Sequence, residues 1–333
     1  MMQIACARLI ALIALLELGL APAQPENPSF AQIAQLDQRM ASTVNRLAIA
    51  NAPLCDRTMP ATGLVIHAVD QYSQADRAAA RAYFGFPAPV AVESVIADSP
   101  AARAGIAAGS GLLEIGGKPV PGSEAKGAVT TNRDQTEAMV LALPVDAAIS
   151  VKITDGDIVR TIAIEPLTAC RTTSEVRYAS NLLGIADGER IQIGDKFLAS
   201  ASDDDLAVIV AHELAHNILH HNDRLAAANA KRGLFGEFGR SQRLRKQAET
   251  DADRLSVYLL ANAGFDPAIA PNFWRGPGRR IDVGIFRSRI YTSAQDRSKL
   301  MEAEIARIGA ARPPYTEVGL VRDRGKPLGL AGS

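Results

Sequence analysis

Residues 212–216 read His-Glu-Leu-Ala-His, and three of those five side chains can do chemistry together. On a helix, His212 and His216 lie one turn apart on one face, so both imidazoles can reach a single metal ion. Glu213, next to the first of them, can address a metal-bound water rather than the metal. Neutral imidazoles suit zinc, and a catalytic zinc needs a third protein ligand and a fourth position left open. The run Glu249-Thr250-Asp251-Ala252-Asp253 offers Glu249 as that third ligand, with Asp253 four residues on and on the same helical face. Asp253 can accept the remaining N–H of a ligating histidine, fixing its tautomer and raising its basicity. The chemistry expected is peptide hydrolysis with one Zn(2+) per chain, Glu213 acting as general base on the attacking water.

The elements that must position these groups can be read from periodicity. Residues 206–221 run without Pro or Gly as one helix, and Asp203-Asp204-Asp205 places negative charge at its N-terminus. A second helix is expected over 243–263, ended by Gly264 and Pro267. His220 and His221 read as exposed charges at the end of the first helix, where a positive group suits the dipole. The alternating Arg190-Ile191-Gln192-Ile193 is a short strand, and Ile191, Gln192 and Ile193 are expected to form the edge that aligns an extended substrate beside the zinc. For a second oxyanion donor the candidates are Tyr258, Tyr291, Arg287 and Arg297. The Gly- and Phe-rich stretch 233–239 is either a mobile lid or a plain loop.

Upstream, apolar residues at helical spacing over 30–47 predict a first amphipathic helix, residues 63–69 a strand and residues 74–82 a helix. Between Phe84 and Pro166 the pattern changes to short β segments. Val90 to Ile96 alternates as a strand, a helix covers 135–143, and Asp155-Gly156 marks a hairpin between 149–153 and 158–164. This segment resembles a PDZ domain of the bacterial protease type, through Tyr83-Phe84-Gly85-Phe86, Ser99-Pro100-Ala101-Ala102-Arg103-Ala104-Gly105-Ile106 and the run from Gly109 to Val120. The resemblance implies a sheet edge to which a peptide adds as a strand, with Gly85 and Phe86 in the loop that receives it.

His212 to His216, Glu249 to Asp253 and the stretch from Arg254 to Pro267 resemble the gluzincin metallopeptidase family that includes HtpX, BepA and the CAAX prenyl protease. The likeness covers roughly 172–307 and implies zinc held by His212, His216 and Glu249, with Glu213 as base. Two departures stand out: Ser293 occupies the place of a histidine found in many exported members, and the hydrophobic spans of the membrane-embedded members are missing.

The fold expected is therefore α+β, a mainly helical zincin-type peptidase domain with a small edge-stranded sheet and an inserted β-rich PDZ-like domain. Its parts are a signal peptide (1–23), an N-terminal peptidase portion (24–82), the PDZ-like domain (83–166), the metallopeptidase domain (167–311) and a loosely ordered tail (312–333). The signal peptide is read from Arg8, the apolar run 9–16 and Ala21-Pro22-Ala23. That run is too short to span a bilayer, so the mature chain is expected to be exported, periplasmic or secreted, without a membrane span. Basic and acidic residues balance at 36 each, which leaves no positive surplus for nucleic acid. Cys6 would leave with the signal. Cys55 and Cys170 flank the insert, and an oxidising compartment permits either a disulfide between them or two separate buried thiols. The partners expected are protein or peptide substrates, some held through the PDZ-like domain. An adaptor or chaperone centred on that domain, with a non-catalytic metal site, is the alternative.

Overall fold

The first helix, Phe30–Ala50, starts at a capping box in which Ser29 accepts from the Gln32 N–H and the Gln32 side chain accepts from the Ser29 N–H. Met40, Val44, Leu47 and Ala48 form its buried stripe. At its end Asn51 is fully buried, and its Nδ2 donates to the carbonyls of Leu47 and Leu259 at 2.9 and 3.1 Å. That amide ties the first helix to the long helix Gly239–Asn262. The computed structural model describes residues 28–231, 239–281, 292–309 and 311–329. The expected signal peptide, nearly all of the 233–239 stretch, Arg287 and Tyr291 lie outside the described residues. Among the described residues no helix is long and apolar enough to cross a membrane.

The architecture is α+β, built around two main hydrophobic cores. The first contains helix Asp203–Ile218, which is buried on almost every side from Leu206 to Ala215 and so is a central helix rather than an amphipathic surface one. Around it pack the first helix, Gly239–Asn262, Ile269–Arg275 and Ala294–Ile308. A three-stranded sheet closes one side: Arg190–Gly194 lies in the middle, parallel to Thr173–Arg177 and antiparallel to Ile185–Ala186. The strand taken from sequence as the edge is therefore the central one. Ile191 and Ile193 are fully buried, and Gln192 donates to Glu175.

Helix Asp203–Ile218 is capped by Ser202, whose hydroxyl accepts from the Asp205 N–H. It stops three residues before the expected end. His220 takes φ 52°, in the left-handed region, and the chain turns there into a separate helix, His221–Ala227. The 312–333 segment is docked, not loose, over its described part. Tyr315 N–H donates to Asn262, Val318 and Leu328 are buried, and Arg324 donates to the Leu54 carbonyl.

The chain leaves the helical body through Thr58–Ala61 and returns through Leu167–Cys170, which pair antiparallel with Thr58 opposite Cys170. A disulfide joins Cys55 to Cys170 at the base of this neck, with their Cα atoms 5.4 Å apart. Beyond the neck the second core is enclosed by strands in the order Leu64–Ala68, Val90–Val95, Gly111–Ile115, Ile149–Asp155 and Ile158–Ile164, with helix Thr131–Leu141 alongside. Ile66 and Ala68 belong to this core, so the insert takes up the chain just past the neck, about twenty residues before the sequence-based boundary at 83. A charged cluster fixes the insert's helix to the body's sheet: Arg190 reaches Asp134 at 3.0 Å, Glu137 at 2.8 Å and Glu175 at 3.3 Å, and Arg133 reaches Asp134 and Glu175.

Because the disulfide closes a loop spanning 115 residues of sequence, replacing Cys55 and Cys170 by Ser is expected to lower unfolding free energy by about 2–4 kcal/mol in a denaturant titration. An unchanged midpoint would show that the neck strands hold the junction unaided.

Candidate metal centre

The uninterrupted helix Asp203–Ile218 carries His212 and His216 on one face, and the packing of Gly239–Asn262 against it brings Glu249 opposite both. The ligand atoms of these three residues lie within 4.8 Å of one another. His212 Nε2 is 3.1 Å from His216 Nε2 and 3.3 Å from Glu249 Oε2, and His216 Nε2 is 3.8 Å from Glu249 Oε1. Bonds of about 2.0–2.1 Å from a tetrahedral zinc place its ligand atoms about 3.3–3.4 Å apart, and these three approaches, which reach Glu249 through its two different oxygens, lie on either side of that spacing. The donor set, two imidazole nitrogens and a carboxylate, is one that fits a catalytic zinc.

What stands behind each ligand decides which nitrogen is presented. His212 Nδ1 lies 3.0 Å from Asp253 Oδ1 and 3.3 Å from Arg297 Nη2. Arg297 already grips both oxygens of Asp253, so Asp253 is an ionised acceptor to which the His212 Nδ1–H donates, and Nε2 carries the lone pair toward Glu249. Asp253 is 1% exposed. Burial alone would raise its carboxyl, but Arg297 and His212 hold it at about 2. The Arg297 guanidinium is stacked over Trp274, 3.5 Å from the ring centroid. His216 has its own support, because His221 Nδ1 lies 2.9 Å from His216 Nδ1. Burial pushes His216 down to about 4 and His221 well below the usual imidazole range, so both are neutral near pH 7 and one ring N–H bonds the other ring. Burial also opposes charge on His212, yet hydrogen bonds from its ring to Asp253 and Glu249 lift it to about 10. A divalent ion binding there would displace that proton.

Glu213 lies beside these three residues, buried, and burial raises its carboxyl to about 7. The Ala186 backbone hydrogen-bonds this carboxyl, and Asn222 Nδ2 donates to the Ala186 carbonyl at 2.9 Å. Just upstream, a Cβ on Gly184 would stand 2.7 Å from Glu213 Oε1 and 2.9 Å from Ile209 Cγ2, so the backbone can approach this closely only at glycine. The strand beside the centre is thus Ile185–Ala186, not 191–193, and Ile185 is half exposed.

Several other sequence-derived assignments change. His221 is buried against His216, and His220 reaches Asp56 at 3.0 Å; neither is a free helix-end charge. Tyr258 donates its hydroxyl to Glu304 at 2.8 Å and sits nine residues past Glu249, about two and a half turns round, on the opposite face of the helix. Arg297 is engaged with Asp253. Ser293 is the N-cap of helix Ala294–Ile308. In the insert, the Gly85 N–H donates to the Arg81 carbonyl, ending helix Arg77–Phe84 at φ 70°, and Phe86 is buried in a stack on His67. Neither Gly85 nor Phe86 lines the insert's cavity, which is bordered instead by residues 62–66. Gly184, Ala186, His221 and Trp274 had no sequence signal, apart from His221 lying five residues after His216.

No family model and no curated protein matches the chain. Among solved structures, a crystal structure of the HtrA3 PDZ domain bound to a phage-derived ligand (FGRWV) aligns at 16% identity, covering 33% of this chain and 88% of that one, with a TM-score of 0.25. A likeness at that score assigns neither a ligand nor a role to the insert.

Asp253→Asn is expected to weaken zinc affinity about 10–100-fold in a chelator competition, because His212 loses the acceptor that orients it. The same change breaks a buried ion pair from one side and should lower unfolding free energy by about 3–5 kcal/mol. Wild-type affinity in the variant would mean that His212 is oriented by packing alone.

Proposed function

We propose that this chain is a zinc-dependent metalloendopeptidase of the gluzincin type, acting on exported or envelope proteins, with the β-rich insert presenting peptide segments to the helical body. The observation that carries the reading is the convergence of His212, His216 and Glu249, one ligand atom from each lying within 4.8 Å of the others, with a buried carboxylate, Glu213, alongside. A structural zinc site closes all four positions with protein ligands and has no use for such a neighbour. The motif resemblance over 172–307 supports the same reading.

His212, His216 and Glu249 would hold the ion, and zinc bound there supplies Lewis acidity, lowering the pKa of a water and polarising a carbonyl. Glu213, raised to about 7 by burial, sits where general base catalysis near neutral pH is most effective. Its carboxylate accepts the proton from the attacking water and returns it to the leaving amine. The Ala186 backbone fixes the Glu213 carboxyl, while Asp253 and His221 fix the rings of the two histidines. The strand Ile185–Ala186 has a partner on one edge only among the described residues, so a substrate backbone can extend the sheet there.

Glu213→Gln should retain stoichiometric zinc by metal analysis and lose about 10²–10⁴-fold in hydrolysis of casein or a quenched peptide library. Equal cleavage by this variant would rule the mechanism out. Gly184→Ala should leave zinc content unchanged and lower kcat, since its methyl group intrudes on the Glu213 carboxylate; an unchanged kcat would show that this carboxylate is free to shift without consequence.

A further inference from the structure

The hairpin beside the ligand residues is held from its outer side by two asparagines. Its first strand, Ile185–Ala186, pairs antiparallel with Arg190–Gly194, Ile185 opposite Gln192 and Ala186 opposite Ile191. At the turn, the Asp187 N–H donates to the Arg190 carbonyl at 3.1 Å, so the Asp187 backbone faces the partner strand. Backbone groups along a strand alternate between its two edges, which turns the N–H and C=O of Gly184, Ala186 and Gly188 to the outer edge. That edge faces Glu213, which the Ala186 backbone hydrogen-bonds and against which Gly184 packs.

Most of the edge is already bonded. Asn222 Nδ2 donates to the Ala186 carbonyl at 2.9 Å, beside the bond from the same residue to Glu213. The Gly188 N–H donates to Asn217 Oδ1 at 2.9 Å, and Asn217 Nδ2 donates in turn to Thr172 Oγ1 at 3.1 Å. Neither amide could be reversed, since a carbonyl only accepts and an N–H only donates. Asn217 and Thr172 are both buried. The two asparagines stand next to the histidines of the centre: Asn217 follows the ligand His216, and Asn222 follows His221, whose ring supports His216. The left-handed break at His220 therefore sends one residue of helix His221–Ala227 to a ligand and the next to the strand. Upstream, Leu182 gives its carbonyl to the Gly194 N–H at 2.8 Å and its N–H to the Ser180 hydroxyl at 3.2 Å. Between these fastened positions, half-buried Gly184 makes no hydrogen bond through its N–H or its carbonyl among the described residues. An unpaired peptide group there is costly until a partner or water joins it, and glycine has no side chain to screen it.

We propose that Asn217 and Asn222 are positioning residues that close the outer edge of this hairpin and leave Gly184 as the position at which a substrate backbone pairs, through one N–H and one C=O. The proposal rests on reading the centre as a peptidase, and it confines the extension of the sheet to a single residue. The substrate class follows from the chemistry: an extended segment that has a free backbone N–H opposite Gly184 and so excludes proline there, with neighbouring positions indifferent to loss of their N–H.

The test uses the full, zinc-loaded chain and uncleavable extended peptide hydroxamates whose backbone nitrogens are methylated one at a time. Methylation at one position is expected to weaken binding about 10- to 100-fold, with less than about 3-fold at the others. Amide exchange read by mass spectrometry should show Ala186 and Gly188 protected in the free protein, and Gly184 protected only when the peptide is bound. Asn222→Ala frees the Ala186 carbonyl, so a second methyl-sensitive position should appear two residues along the peptide, an outcome that mere loosening of the fold would not produce. The proposal is overturned if no peptide protects Gly184, if the wild-type chain shows no sensitive position or more than one, or if Asn222→Ala leaves the pattern unchanged. The wild-type arms stand even where the variant fails to fold. Metal analysis and the cleavage assay on Glu213→Gln report separately on zinc and hydrolysis, so the two readings can fail independently.

Discussion

The bidentate pairing of Arg297 with Asp253 is the interaction on which the buried centre depends. His212 and Glu213 are buried between helices and His216 and Glu249 partly so, and charge with so little water around it survives only with a partner. Arg297 provides positive charge beside the ligand residues, its guanidinium clasped by Asp253, laid on Trp274 and 3.3 Å from His212 Nδ1. The pair also joins elements: Asp253 comes from Gly239–Asn262, Arg297 from Ala294–Ile308, Trp274 from Ile269–Arg275, and the ring they orient from Asp203–Ile218. One electrostatic contact thus sets the packing of four helices and the aim of one ligand.

The insert is held by a different kind of contact. Its attachment to the body combines a covalent neck with the cluster of Arg133, Arg190, Asp134, Glu137 and Glu175, which is polar and partly exposed. Charged groups that satisfy one another across an interface leave it register-specific without making it an extension of either hydrophobic core. The space between the two parts is consequently lined by both charge and apolar surface, unlike the close-packed interior on either side.

The centre itself was legible because helical periodicity converts spacing into geometry. Four-residue offsets at His212 and His216, and again at Glu249 and Asp253, place side chains on one face whatever the rest of the chain does. Strand neighbours carry no such signal. Alternation identified 190–193 as a strand but could not show that Ile185–Ala186, too short to alternate, would cover its outer edge. The left-handed residue at His220 was also missed, since an uninterrupted run of helix formers gave no reason to place a break at a histidine, and the break there turned an apparent helix-end charge into the support of a ligand. Gly85 shows the converse. Its positive φ could be anticipated, yet the same backbone angle serves to end a helix as readily as to open a binding loop. The C-terminal segment looked disordered by composition, and contacts with residues distant in sequence, Asn262 and Leu54 among them, hold it.

The neck has a consequence for how such a molecule could arise. Cys55 and Cys170 are separated by 115 positions in the chain but by 5.4 Å in space, so the helical body presents a gap that a single tight turn could close. A module added at such a point leaves every contact around the ligand residues in place, and the entropy of the longer connection grows only logarithmically with its length. The β-rich module is therefore joined to the helical body at one covalently closed point, and the first helix, which contributes to the body's core and lines the space between the two, is the element that borders both.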